Sequence, residues 1–153
     1  MVWLFGGFGN RDPLWFLTVF DEKPSAIRIY RDGATRDVLP GQPGFEELVA
    51  AINAEVAQHA GYYEGLAPSG DSLASYVERG FAVEIVYPRP VQVHTRFYFP
   101  QANRLLVAID GSYNYLKVPL LFRASADRWL PGGLALTSVE RIRAAVDAVM
   151  AEP

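Results

Sequence analysis

The sequence predicts an α+β fold in which a largely antiparallel sheet carries its helices mainly on one face. The predicted strands come in blocks joined by hairpin-length loops instead of alternating with helices, which favours antiparallel pairing. Three segments place apolar residues at helical spacing: two lie in the centre of the chain and one at its C-terminus. Crossovers are too few to cover both faces. The 153 residues contain no repeat or long linker, so a single domain spanning 1–153 is expected.

The N-terminal region predicts a docked segment followed by a buried strand. Met1–Gly9 is rich in large apolar groups and suits a docked terminal segment or a first short strand. The alternative is a membrane-surface or partner contact made by Trp3 and Phe5. Leu14–Phe20 is apolar at both odd and even positions, which is typical of a central strand covered on both faces.

A hairpin follows, and its register can be predicted from its turn. Asp32-Gly33 is the signature of a two-residue type I′ turn, because both positions need positive φ. This turn places Arg28 opposite Asp37 and Ile27 opposite Val38. Charge then meets opposite charge, and apolar meets apolar.

Three helices are predicted from periodicity and end signals. The first presents an apolar stripe from Phe45 to Val56 and is expected to end at Gly61. After a loop over Tyr62–Gly70, a short helix is capped by Ser69 or Asp71, and Gly80 is expected to close it in the left-handed conformation. Leu73, Tyr76 and Val77 are its predicted packing residues. The last helix, predicted to open with a capping box at Thr137–Glu140, follows a loop over Ala124–Leu136 and presents Val139, Ile142, Val146 and Val149 to the core.

Between the second and third helices, the segment Phe81–Phe122 is predicted to form a four-stranded antiparallel meander. Pro88-Arg89-Pro90 would make its first turn, which pairs Tyr87 with Val91 and Glu84 with His94. The later turns would pair His94 with Asp110 and Asp110 with Tyr115, with the apolar pairs Ile109–Leu116, Val107–Val118 and Leu105–Leu120 supporting that register. Pro119 predicts that the last strand is an edge strand or is broken there.

This register predicts a ligand-binding surface on the outer face of the sheet. One row holds Glu84, His94, Asp110 and Tyr115, and Arg96 and Lys117 lie beside it. A histidine between two carboxylates would hold its proton more tightly, and the two cations could hold an acidic ligand. The same alternation also suits a solvated sheet face that binds nothing.

The uneven distribution of charge has two interpretations. Either the basic region attracts an anionic ligand, or the acidic and basic regions compensate each other within the fold. The net charge is −3, yet residues 41–78 contain six acids and no base, whereas residues 79–128 contain seven bases and three acids. The meander is therefore basic and the helical middle acidic. A pI near 5.4 and scattered single arginines argue against nucleic acid as a partner.

Several kinds of chemistry are excluded or unsupported. The chain has no cysteine and two histidines, so disulfides, thiolate zinc sites and histidine-rich metal sites are not predicted. The sequence contains no P-loop, no His-Glu-x-x-His zinc motif and no Gly-x-Ser-x-Gly nucleophile elbow. We therefore predict neither a cofactor nor a metal. No stretch reaches the roughly 20 apolar residues that span a bilayer. A cytoplasmic location is the default, and an extracytoplasmic one stays open if the N-terminus is trimmed.

The order of a strand, two helices, a meander and a long C-terminal helix resembles helix-grip domains that enclose an apolar ligand. That resemblance implies a carrier with an apolar cavity between the sheet and the C-terminal helix. The residues themselves favour a non-enzymatic binding protein that takes a small anion or a protein partner, and self-association into a homo-oligomer stays open. A third hypothesis is an enzyme that uses His94 with Glu84 or Asp110 as general acid and base. No motif in the sequence identifies a specific function.

Overall fold

The computed structural model describes residues 12, 14–125 and 127–153. The predictions for Met1–Gly9 therefore lie outside the described residues. A 3-10 helix at Asn114–Leu116 lies between the fifth and sixth strands. The other elements, in chain order, are β1 Ala26–Arg31, β2 Ala34–Val38, α1 Phe45–Val56, β3 His59–Tyr63, α2 Gly70–Arg79, β4 Phe81–Val91, β5 Ala102–Asp110, β6 Leu120–Ser125, β7 Arg128–Trp129, β8 Gly133–Leu136 and α3 Glu140–Ala151.

The strands form one open antiparallel sheet, and this confirms the predicted α+β class. The strand order is β2-β1-β4-β5-β6-β8-β3, with the short β7 paired to β6. Of the helices in the described part of the chain, none is long and apolar enough to cross a membrane.

Helices cover both faces of this sheet, although unequally. α1 and α3 bury their apolar stripes in the larger cluster on one face, together with Ile27, Ile29 and Val83. α2 packs on the opposite face, where Tyr76 joins a second cluster. This arrangement explains why β5 is apolar at every position between Leu105 and Ile109: its odd residues face the first cluster and its even residues face the second.

The N-terminal hairpin is confirmed in turn and register. Asp32 and Gly33 have φ values of 52° and 83°, as a type I′ turn requires. Ile27 pairs with Val38 and Arg28 with Asp37. The guanidinium of Arg28 donates to both carboxylate oxygens, at 2.6 and 3.0 Å.

The predicted helices are present, but three of their end signals differ. α1 ends at Val56, and Gly61 lies instead in β3, because His59–Tyr63 pairs with β8. Ser69 caps α2 as predicted, its Oγ accepting from the Ser72 amide at 3.2 Å. Gly80 has φ −102°, so it is not left-handed; a Cβ there would lie 2.6 Å from the Asp110 carbonyl oxygen.

The third differing end signal is at α3. It begins at Glu140 with Val139 as the N-cap residue, and no side-chain cap bond forms at that residue. The predicted capping box is therefore displaced, and Ser138 Oγ accepts from the Glu140 amide at 3.2 Å. The four predicted core residues of the segment, from Val139 to Val149, are all buried.

Leu14–Phe20 is not a central strand. Its first residues form a turn, the remainder is irregular, and Leu14, Phe16 and Val19 are exposed. The central positions of the sheet are taken by β4, β5 and β6, each of which has buried residues on both faces. Phe20 is buried, with its ring edge-on to Tyr87 at 6.2 Å.

The meander prediction is wrong at its first turn. β4 continues through Pro88-Arg89-Pro90 to Val91, and these residues form a bulge between the pairs Val86–Arg104 and Val91–Ala102. Proline cannot donate to a strand ladder, so the bulge accommodates the two prolines without a reversal of the chain. Residues 92–101 are irregular, and the side-chain amide of Gln92 donates to the Phe99 carbonyl oxygen at 3.2 Å.

The later register of the meander is also different. β4 pairs directly with β5, so Glu84 lies opposite Leu106 and not opposite His94. On the other side of β5, Val107 pairs with Leu121 and Ala108 with Leu120, because the 3-10 helix lengthens the preceding connection. The predicted pairs of Ile109 with Leu116, Val107 with Val118 and Leu105 with Leu120 are therefore not formed.

Two further predictions for the C-terminal third can be compared with the strand order. The prediction for Pro119 is confirmed in its second form: β6 begins at Leu120, so the strand is broken at the proline, and β6 is an interior strand between β5 and β8. The predicted loop over Ala124–Leu136 contains β7 and β8. Both strands are short, and the local sequence gives little periodicity over two to four residues.

Candidate functional site

The structure separates the six predicted ligand-binding residues into three places, and the predicted row across the sheet is not formed. Glu84 lies on the α2 face of β4, and His94 and Arg96 lie in the irregular segment 92–101. Asp110, Tyr115 and Lys117 lie at the end of β5 and in the connection that follows. Each place has its own partners.

Glu84 belongs to a polar network whose charges are already compensated. Tyr30 donates its hydroxyl to Glu84 Oε2 at 3.0 Å, and Arg104 Nη2 donates to Oε1 at 2.5 Å. Burial and the neighbouring carboxylate raise the pKa of Tyr30, so its hydroxyl stays protonated. Arg104 also stacks on Trp129 at 5.1 Å. The adjoining cavity of about 220 Å³ is therefore lined by groups that satisfy one another.

His94 meets a carboxylate, but it is not one of the predicted ones. Its Nδ1 lies 3.3 Å from Asp12 Oδ2, which also accepts from the Thr95 amide at 3.3 Å. Asp12 is buried and its Oδ1 accepts from the Leu14 amide. The contacts of Asp12 with His94 and Thr95 therefore connect segment 92–101 to the residues before β1. The enzyme hypothesis needs Glu84 or Asp110 at this position, and the structure places neither there.

Arg96 lies near aromatic rings. Its guanidinium carbon is 5.1 Å from the centroid of the Phe97 ring, which in turn stacks on Tyr62 at 5.2 Å. Arg96 does not line the cavity that Lys117 lines, so the two cations that were predicted to act together do not share that site.

Asp110 and Lys117 do come together, in a cavity of about 240 Å³. The cavity lies where the C-terminal end of β5, the connection to β6 and the first turn of α3 meet. Tyr115, the third predicted residue of this region, is 68% exposed and does not line the cavity. The lining residues are Ile109, Asp110, Asn114, Lys117, Val118, Pro119, Val139 and Arg143.

Arg143 is the second cation of this cavity, and the surrounding residues fix its position. Its Nη1 donates to Asp110 Oδ2 at 3.1 Å, and its guanidinium carbon lies 5.5 Å from the centroid of the Phe81 ring. Glu140 Oε1 is 3.9 Å from its Nε. A guanidinium has five N–H donors, so donors remain for a ligand after these contacts.

Lys117 differs from Arg143 in having a strained backbone and, among the described residues, no charge partner. Its φ and ψ are 59° and 21°, and among the described non-glycine residues only Asp32 shares a positive φ. A left-handed conformation costs a non-glycine residue about 1–2 kcal/mol. Within the described chain no carboxylate lies within ion-pair distance of its ammonium group.

The arrangement suits recognition of a small anion. Two cations and one carboxylate line the cavity, so the sum of these charges is positive. Carboxylate and phosphate groups are usually bound by the guanidinium of an arginine and the ammonium of a lysine. A volume of about 240 Å³ lies below the roughly 300–1,000 Å³ of sites for drug-sized ligands. The described residues include no cluster of three or more His, Cys, Asp or Glu that could hold a metal ion.

Sequence reasoning missed Arg143, although part of the signal was present. Val139 and Arg143 are four residues apart, so they lie on the same side of the last helix. Their shared side could be predicted, but the docking of that helix end against β5 could not, since it depends on long-range topology.

A comparison of the chain with protein-family models, curated proteins and solved structures finds no match in any of the three.

Proposed function

We propose that the protein binds a small anionic ligand, without chemical conversion, in the cavity between Lys117 and Arg143. The observation that carries the proposal concerns Lys117, whose ammonium has no carboxylate partner among the residues that the structure describes. Its backbone is left-handed, and it lines a cavity that Arg143 also lines. Strained residues persist where the surrounding structure over-determines them, and they cluster at ligand sites.

Preorganisation of Arg143 supports the same function. Phe81 and Asp110 already hold the guanidinium, so little side-chain entropy remains to be lost when a ligand arrives. Asp110 also limits the net charge of the lining, which favours ligands of low charge. The two cations in the lining favour an anion over the apolar ligand of the carrier alternative.

The two lysines of the chain give a direct test. Both lysines are exposed, but Lys23 pairs with Glu46 at 3.2 Å and lies outside the cavity that Lys117 lines, so Lys23 serves as an internal reference. After ¹³C-dimethylation of the lysines, titration with inorganic phosphate or acetate is expected to shift the Lys117 resonance and leave that of Lys23 in place.

Substitution should then separate binding from general charge effects. Lys117→Met or Arg143→Met is expected to weaken phosphate binding about 10- to 100-fold, since each removes a charged hydrogen bond of about 1.5–3 kcal/mol. Lys23→Met is the matched control and should change nothing. An unaltered affinity in Lys117→Met would refute the proposal.

The strained backbone at Lys117 provides a second measurement on the same site. Lys117→Gly relieves the left-handed strain, and we expect the free energy of unfolding to rise by about 1 kcal/mol while phosphate binding is lost. A gain in stability with loss of binding distinguishes a functional lysine from one that the fold requires. A Gly variant that is less stable than the wild type would contradict the strain argument.

A further inference from the structure

A second concave region adjoins the anion cavity. It has a volume of about 440 Å³ and lies between the C-terminal end of α2 and the turn after β5. Asp110 and Asn114 line both regions, so a ligand that fills one can reach the other past these two side chains. Its lining residues are Ser75, Arg79, Gly80, Asp110, Gly111, Ser112 and Asn114.

The chemistry of this second lining differs from that of the first. It has two hydroxyls, a carboxylate, an amide and a guanidinium, and none of its residues has a large apolar side chain. Asn114 Oδ1 accepts from the Gly111 amide at 2.9 Å, so its NH₂ group keeps its donors for a ligand. Asp110 accepts from Arg143 through Oδ2, and Oδ1 keeps its acceptor capacity.

The wall of this region is held in place by close packing on Tyr76. A Cβ at Gly111 would lie 2.3 Å from Tyr76 Cε1, and one at Gly80 would lie 2.9 Å from Tyr76 Cα. The absence of side chains at these two positions lets the turn after β5 approach α2. The polar groups of Asp110 and Ser112 are thereby brought near Ser75.

We infer that the ligand is a phosphorylated or carboxylated polyol whose hydroxyl groups lie in this second region. The inference rests on the proposed function, since the anionic group binds Lys117 and Arg143. A carboxylate repels an anion but accepts hydrogen bonds from hydroxyl groups, so Asp110 orients such a ligand. The anionic end faces Lys117 and the hydroxylated end faces Ser75 and Ser112.

A matched pair of ligands tests this inference by isothermal titration calorimetry. Glycerol 3-phosphate and propyl phosphate have the same chain length and anionic group, and only the former carries hydroxyls. A hydrogen bond contributes about 0.5–1.5 kcal/mol, so two new bonds predict binding that is about tenfold tighter for glycerol 3-phosphate.

A double variant assigns the preference to this region. Ser75→Ala with Ser112→Ala should reduce the preference for glycerol 3-phosphate to about twofold and leave propyl phosphate affinity unchanged. Ser25→Ala, outside both lining sets, is the control. Equal affinities of the two ligands in the wild type, with phosphate still shifting the Lys117 resonance, would overturn this inference alone. Failure of both ligands and of phosphate to bind would overturn the proposed function as well.

Discussion

Arg123 in β6 offers the sharpest test of the energetics of this fold. The residue is 3% exposed, and its Nη1 donates to the Pro131 carbonyl oxygen at 3.1 Å. Its guanidinium carbon lies 5.0 Å from the centroid of the Phe99 ring. Its Nε has no hydrogen-bond partner among the residues that the structure describes, and burial lowers the pKa of the guanidinium. A charged group is therefore buried with incomplete compensation.

The contacts of Arg123 give a magnitude for replacing it by methionine. An unsatisfied buried donor costs about 1–3 kcal/mol, and an uncompensated buried ion costs several kcal/mol. Against these costs, the hydrogen bond from the charged guanidinium stabilises the fold by about 1.5–3 kcal/mol, and its contact with the Phe99 ring by about 2 kcal/mol. Arg123→Met keeps a long apolar side chain, so we expect a net stabilisation of about 1–2 kcal/mol and a rise in Tm of about 2–8 °C.

Urea denaturation followed by circular dichroism measures this effect. Arg128→Met, at an exposed position of β7, is the control for loss of one positive charge and should leave the midpoint nearly unchanged. Arg123→Ala should be less stable than Arg123→Met, because it leaves a cavity. If Arg123→Met is destabilised by more than about 1 kcal/mol, the guanidinium is better compensated than its described contacts indicate, and the reasoning fails.

Two other predictions concern the backbone and pH. Gly44→Ala should cost about 2–5 kcal/mol in urea unfolding, because its φ of 84° is strained for alanine and the new Cβ would lie 2.3 Å from Val149 Cγ2. Gly41→Ala has the same strain without a close neighbour and should cost about 1–2 kcal/mol; equal costs would contradict the packing argument. Burial raises the pKa of Tyr76 from 10.0 to about 12. Its protonated form is favoured in the folded state, so its stabilisation is complete below pH 10 and is lost as the pH rises through about 12. The urea midpoint of the wild type should therefore fall between pH 10 and about 12, and it should fall less in Tyr76→Phe. An equal fall in both proteins would show that ionisation of Tyr76 does not cause the loss of stability.

The parts of the fold that could be predicted depend on contacts between near neighbours in sequence. The β1–β2 hairpin follows from its turn residues, and each helix follows from its apolar period. The failures arise where distant segments compete for the same place. Pro88 and Pro90 were interpreted as a turn, but β5 pairs with β4 across them and displaces residues 92–101 from the sheet.

The candidate site shows the same division. Asp110 and Lys117 were selected as polar residues of the meander, and they meet although the register that joined them was wrong. Their partner Arg143 comes from the last helix, and the carboxylate beside His94 is Asp12. Both partners are brought in by tertiary docking, which leaves no short-range pattern in the sequence.

The placement of β3 has a consequence for how the chain is made. β2 and β3 are separated along the chain only by α1, yet they form opposite edges of the sheet. β3 pairs with β8, whose residues follow only after the whole of segment 64–132. During synthesis, the backbone of His59–Tyr63 therefore leaves the ribosome long before its partner exists, with unpaired donors and acceptors. That edge of the sheet can close only when the C-terminal part of the chain has been translated.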